Sequence, residues 1–587
     1  MAVGWPNGAK PLEVHAVQSI AMKTTSPKLA AAACAILFAA GWSSPAAAAP
    51  PGVARTSFAS KVTALSVLGQ LPVGTFNGVP YTKTYGVISG FIDSKEAAHV
   101  VGLSLQAKDA SGNVPYTSQY EIIAPAAGAQ ADSIVVVEAE NRSSPLSLYS
   151  LNQSPPSTGG VAPDAQMWAT GMGNGFLQNN ATAYARIQWQ SSATVGGDNL
   201  SVPSNAQGIG LVIQRDFGRM LAGSTPPPAV TGAAYTPPTF ATRIFTGISQ
   251  SAWFVDTFLA EGFNADPGTG GPVFHGMIAI DGTGNWLAIN ELGAKAGAPM
   301  GAYLDPLPNA GAAPLMMSRL LSRPATDPFY IDVANYTDFY RVYASLTDIP
   351  LTSSRMRRYD WPGPHATAVV PAPASGAGMF APNAAVSQGG ACDAGISIPT
   401  NPIGYQPYFR ALVVELEQQV GPISASPLPP STYFTLGPAP NVTSVVVNSS
   451  TLNTVNDAIG ARLLVPKLDA NNWPQGGVRT PDEAFPIGSP TVVYPNGAQV
   501  VSVPPALTDN ISNTCGNSGV FNVFSAAQLT SLYGDRANYL AKYDSQVKDL
   551  IRRGYLLPSD EAYMLATAGK LYDYAANGPP YNGGTNF

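Results

Sequence analysis

A chain of 587 residues is long enough for one large domain with extensions or for two domains. With 45% apolar residues it can bury a sizeable core, while 11% charged residues, 58 Gly and 54 Pro predict many turns and long surface loops. A formal charge of −6 without a basic block offers nothing to attract phosphate backbones, which argues against nucleic-acid binding.

The N-terminus reads as a targeting segment. Lys23 and Lys28 form a positive stretch, Leu29–Trp42 an apolar run, and Ala46–Ala49 a small-residue cleavage signal. The run is about 14 residues, too short to cross a bilayer at 1.5 Å per residue. The expectation is a signal peptide over 1–49, with a start at Met22 fitting the pattern as well as Met1. The mature chain would then be periplasmic or secreted, with no integral membrane segment. Cys34 lies inside the apolar run rather than after it, which disfavours a lipoprotein. Cys392 and Cys515 remain, an even pair that an oxidising compartment favours as a disulfide over two separate thiols.

The first part of the chain alternates β-rich runs with turn signals: Tyr81–Ile92, Tyr116–Ile123 and Ser133–Val137. Thereafter strand and helix patterns alternate. Strands are predicted at Tyr184–Trp189, Thr242–Thr246, Val273–Ile280, Phe329–Ala334 and Met356–Trp361, and helices at Leu211–Leu221 and Gln250–Glu261. That alternation argues for an α/β fold, a mainly parallel sheet with helices on both faces. In Pro407–Val420, Phe409, Leu412, Val413, Leu416 and Val420 form one helical stripe ended by Gly421-Pro422. Residues 422–524 read as loops and short strands laid against the core. Ser525 and Gln528 then form a capping-box pattern before a long helical stretch that stops at Gly554. The expected organisation is a core over 50–421 and a C-terminal extension over 422–587.

One Gly-x-Ser stands out. In Arg243-Ile-Phe-Thr-Gly247-Ile-Ser249-Gln-Ser251 a short apolar strand runs into Gly-x-Ser-x-small and a helix leaves at once. A nucleophilic serine needs that setting: a sharp turn at the carboxyl end of a strand, with small neighbours letting strand and helix pass closely. The helix N-terminus then stabilises negative charge on the attacked carbonyl. Other copies lack the context. Gly102-Leu-Ser104 lies in an alternating strand pattern, and Gly395-Ile-Ser397 is followed by Pro399 and Pro402.

The chain order nucleophile, acid, histidine then selects the partners. His99 precedes Ser249 in a strand-like run, and His275 opens the VFHGMIAI strand. His365 follows MRRYDW and a Pro-Gly-Pro turn, and is the candidate general base. The acid should follow the strand before the histidine's strand, which points to Asp338, with Asp281 and Asp332 as alternatives. One oxyanion donor is the backbone N–H of Gln250; the other is expected near Asn141-Arg142, after VVVEAE. Trp189, Trp253 and Trp286 are either pocket-lining or core. The three scattered histidines of the expected mature chain give no metal-ligand spacing, Asp469-Ala-Asn-Asn reads as a turn, and no Gly-rich phosphate loop follows a strand. No cofactor is expected.

These residues resemble a bacterial α/β-hydrolase domain family with Gly-Phe-Ser-Gln-Ser at its elbow and a long C-terminal extension. Gly247-Ile-Ser-Gln-Ser251 is similar to that elbow, and Phe258-Leu-Ala-Glu-Gly262-Phe-Asn264 to the end of the helix after it. Pro402–Val420 resembles the helix after the histidine loop, and Ile459–Asp469 and Tyr543–Asp560 resemble the tail, so the likeness covers roughly residues 80–575. Ala252 stands where the family often has Gly. Tyr336 stands where Glu is expected in a Ser-Glu-Thr-Asp-like segment, which leaves Asp338 to supply the carboxylate. The resemblance implies an α/β-hydrolase fold and serine-hydrolase chemistry. The expected substrate is a small or polymeric carboxylic ester or a lactone. An amidase or peptidase with the same triad, and a non-catalytic binding protein on the same fold, are the alternatives.

Overall fold

A computed structural model describes residues 58–127, 133–141, 144–153, 172–190, 206, 208–282, 287, 289–290, 320–341, 344–346, 353–363, 403–421, 428–438, 444–447, 450–453, 464–491 and 520–577. All of them belong to one compact unit, Ser57–Phe587.

Ten strands form the central sheet: β1 (Lys61–Phe76), β2 (Val79–Ile92), β3 (Val114–Pro125), β4 (Ile134–Ala139), β5 (Thr182–Ile187), β6 (Ala229–Gly232), β7 (Thr242–Ile248), β8 (Gly276–Ile280), β9 (Phe329–Asn335) and β10 (Met356–Trp361). Their order is β10-β9-β8-β7-β4-β5-β3-β2-β1-β6. From β5 through β4, β7, β8 and β9 to β10 every pairing is parallel, while β1, β2, β3 and β5 pair antiparallel in succession. The sheet is therefore mostly parallel, as the alternation of elements predicts.

Its first strand is absent from the sequence-based reading. Gly69, Pro72 and Gly74 interrupt Lys61–Phe76 as turn signals, yet the chain absorbs them as register shifts at Val67/Gly69 and Pro72/Gly74. A bulge places an extra residue without ending the pairing, so these residues bend the strand rather than stop it. Two other expectations change. Gly102-Leu-Ser104 belongs to a 3₁₀ turn over Leu103–Leu105, and His99 closes the preceding 3₁₀ turn rather than lying in a strand.

Successive strand side chains point to opposite faces, and both faces are covered. On one, Phe245, Met277 and Ala279 pack against helices Ile209–Leu221 and Gln250–Ala260. Phe245 stacks on Phe274 with centroids 4.6 Å apart, and Trp189 stacks on Phe254 at 3.9 Å. On the other, Ile244, Ile278, Ile331 and Val333 meet Phe409, Leu412 and Leu416 of helix Gln406–Val420. Pro at the helix start and the stripe of apolar residues form this helix as predicted.

The C-terminal residues share this second core. Arg410 sends two nitrogens to Asp560, Nε at 2.9 Å, with both side chains buried. Tyr359 Oη donates to Pro429 O at 2.7 Å and its ring meets Tyr555 edge-on. The outer side of β10 is also covered. Thr432 N–H donates to Arg358 O, Asp360 N–H to Thr432 O, and Val478 N–H to Asp360 O. Ser525 and Gln528 make the capping box, but the long helix breaks at Gly534 into Ala526–Tyr533 and Arg536–Arg552, and a further helix, Glu561–Asn577, follows. Gly534 has φ 78°, a left-handed conformation that ends a helix. Among the described residues no helix is long and apolar enough to cross a membrane.

Candidate active site

Strand β7 lies in the middle of the parallel half, between β4 and β8. It ends at Ile248, the helix begins at Gln250, and Ser249 is the single residue between them, with φ 60° and ψ −125°. That conformation is strained for a non-glycine residue, and such strain is held in place only by surrounding structure. Three contacts hold it. Ser249 N–H donates to Ile280 O at 2.8 Å, Ser251 Oγ donates to Ile248 O at 2.9 Å, and Asn141 Nδ2 donates to the same Ile248 carbonyl at 3.0 Å. Gly247 is required by space: a Cβ there would stand 2.3 Å from Ser251 O. Ser249 remains partly exposed among buried neighbours.

Behind Ser249, Gln250 is the first residue of the helix, so its N–H has no acceptor within the helix and is placed to donate to an oxyanion. Its side chain is buried with neither amide atom hydrogen-bonded. At the end of β4, the geometry gives Asn141 another role than backbone donor. Its N–H is engaged by Ser144 O at 2.9 Å, and its side chain reaches the elbow instead. Arg142 lies outside the described residues. Glu138, also on β4, accepts from Ser147 N–H, Leu148 N–H and Tyr184 Oη, so it anchors the first turn of helix Leu146–Asn152. Burial pushes its carboxyl up to about 7 against these hydrogen bonds.

The neighbouring strand ends supply carboxylates. Asp281 directly follows β8 with φ 63° and is fully buried; its N–H donates to Val333 O and its carbonyl accepts Trp253 Nε1 at 3.0 Å. Asp338 follows β9 at the start of a short helix, also fully buried, and its Oδ2 accepts Asn335 N–H at 2.7 Å. Asn335 Nδ2 donates to Asp281 Oδ1 in a short bond. Asp332 sits within β9 and is turned sideways to Arg358, which also holds Asp360, each at 2.9 Å. Tyr336, at the position where the resemblance leads one to expect Glu, is buried; its N–H donates to Gly363 O and its ring meets Phe434 edge-on.

Of the histidines, His275 lies at the opposite end of its strand from the elbow. Its N–H donates to Arg243 O at the start of β7, six residues from Ser249, a span of roughly 20 Å along a strand. Burial and the adjacent Arg243 guanidinium hold its imidazole down to about 4. His99 packs edge-on against Phe58. His365 lies outside the described residues; the chain that leads to it is described through Gly363, directly after β10. Cys392, Cys515 and Trp286 also lie outside them. Trp189 and Trp253 are buried, and the Asp469 segment is a turn in which Asp469 Oδ1 accepts from Asn471 and Trp473 N–H.

Ser249, the first turn of the helix that follows it and two buried carboxylates, Asp281 and Asp338, thus share the carboxyl edge of one parallel sheet. Asn141 and Asn335 escape a sequence reading, because nothing in their local pattern signals a side chain that bridges two strand ends. A family model described as an alpha/beta hydrolase domain matches residues 94–566. No curated protein matches the chain.

Proposed function

We propose, from the premise that the chain belongs to the alpha/beta hydrolase domain family, that it is an exported serine hydrolase of carboxylic esters or lactones. The observation that supports it most is the left-handed, partly exposed Ser249 between β7 and its helix. In this reading Ser249 Oγ attacks the substrate carbonyl and His365 takes its proton. Asp338 fixes the imidazole and stabilises its cationic form. The developing oxyanion is met by Gln250 N–H at the positive end of the helix. The tetrahedral intermediate collapses to an acyl-enzyme as His365 returns the proton to the leaving alcohol, and water then repeats the sequence to release the acid.

Ser249→Ala is expected to lower kcat for p-nitrophenyl ester hydrolysis by about 10⁴-fold or more with thermal unfolding unchanged. Retained activity in that variant would sink the reading. Export is proposed on the 1–49 segment alone, and with it a Cys392–Cys515 disulfide; a secreted product whose mass begins near residue 50 is the expected outcome.

A further inference from the structure

We propose that Asn335 is a positioning residue of this site, holding the carboxylates of Asp281 and Asp338 in one array at the ends of β8 and β9. The proposal deepens the serine-hydrolase reading and rests on it. Asn335 is the last residue of β9, fully buried and paired with Trp361 of β10. Its main-chain N–H donates to Asp338 Oδ2 at 2.7 Å, and its side-chain Nδ2 donates to Asp281 Oδ1. One residue therefore donates to two of the three carboxylates considered as the acid, Asp338 and Asp281.

Neighbouring strands stand about 4.8 Å apart, so a donor common to carboxylates at two adjacent strand ends fixes their orientation relative to each other. The rotamer of the amide carries the argument further. Turned the other way, the amide would present its oxygen to Asp281 and repel it. As placed, Nδ2 meets Asp281 while Oδ1 is buried without a hydrogen-bond partner. A buried amide oxygen without a donor is unusual, and here it accompanies the bond to the carboxylate. That oxygen lies 3.9 Å from where a Cβ on Gly363 would stand, two residues before His365. The next residue, Tyr336, is bonded through its N–H to Gly363 O at 2.9 Å. Asn335 thus joins the carboxylates to the root of the segment that carries the base. It acts through them and does not itself meet the reacting carbonyl.

Asn335→Ala keeps the main-chain bond to Asp338 and removes the bond to Asp281. With p-nitrophenyl butyrate we expect kcat to fall about 10- to 100-fold with KM within about twofold. The acid limb of the kcat profile should move to higher pH by about half a unit, because Asp281, stripped of its donor, leaves more uncompensated negative charge beside the array and so favours the imidazolium. Should the alanine variant not fold, Asn335→Asp and Asp281→Asn keep side-chain size: the first adds a negative charge and should move the acid limb up, the second removes one and should move it down, each with a fall in kcat. Unchanged kcat and an unchanged acid limb in the variants that fold overturn the proposal, as does a loss confined to thermal stability. A fluorophosphonate probe separates the two readings: no labelling of Ser249 in the wild type sinks the hydrolase reading. Normal wild-type labelling with unaffected variants sinks this inference alone.

Discussion

The parallel strands at the centre of this molecule carry polar groups at both ends, and the two ends differ in kind. At the amino ends, His275 N–H donates to Arg243 O, Arg243 N–H donates to His275 Nδ1 and Arg243 Nε to Val273 O, and the imidazole is held neutral. At the carboxyl ends, Ser249 is pinned in a strained backbone and Asp281, Asn335 and Asp338 form a hydrogen-bonded row. In a parallel sheet the carboxyl ends open onto loops and onto the helix N-terminus that follows, so charge developing on a ligand is stabilised there. Strand polarity thus decides which end can stabilise a developing charge.

The comparison can be broken by experiment. The largest effect expected is the loss of about 10⁴-fold in kcat on Ser249→Ala. Next is Asp338→Asn, for which a fall of about 10²- to 10⁴-fold is expected with KM little changed, since the imidazole loses the group that orients it. Wild-type turnover in that variant would shift the acid's role to Asp281. Asn141→Ala removes the bond to Ile248 O and should lower kcat about fivefold, in line with about 1 kcal/mol for one hydrogen bond; steady-state kinetics decides it. The smallest effect is predicted for His275→Asn, with kcat within about twofold of wild type. Its imidazole is depressed in the folded state, so the native protein binds fewer protons than the unfolded chain between pH 6.5 and about 4. Stability should fall as pH drops through that window in the wild type, and less steeply in His275→Asn. A His275 variant that lost turnover at constant stability would erase the distinction between the two ends.

The turn at Ser249 was legible from local pattern because a strand–Gly-x-Ser–helix junction is a local device: Gly247, Ser249 and Ser251 lie within five residues of one another. Strands β9 and β10 and helix Gln406–Val420 show the periodicity that burial imposes on both faces of a sheet. What the sequence hides is of two sorts. Strand β1 carries Gly69, Pro72 and Gly74, which signal turns until antiparallel pairing with β2 makes them bulges. Asn141 and Asn335 act across strands far apart in the chain, so their roles follow only from strand order.

The cover along β10 carries one more consequence. Residues 431–432 and 478 take up main-chain groups of Arg358 and Asp360 on the side of that strand facing away from β9. A chain shortened before residue 428 would leave those groups bare, a template on which another copy could add a strand. Shortened forms should therefore self-associate instead of yielding a smaller monomer. The minimal working length of this protein is set by the need to shield its last strand, well beyond the residues that perform chemistry.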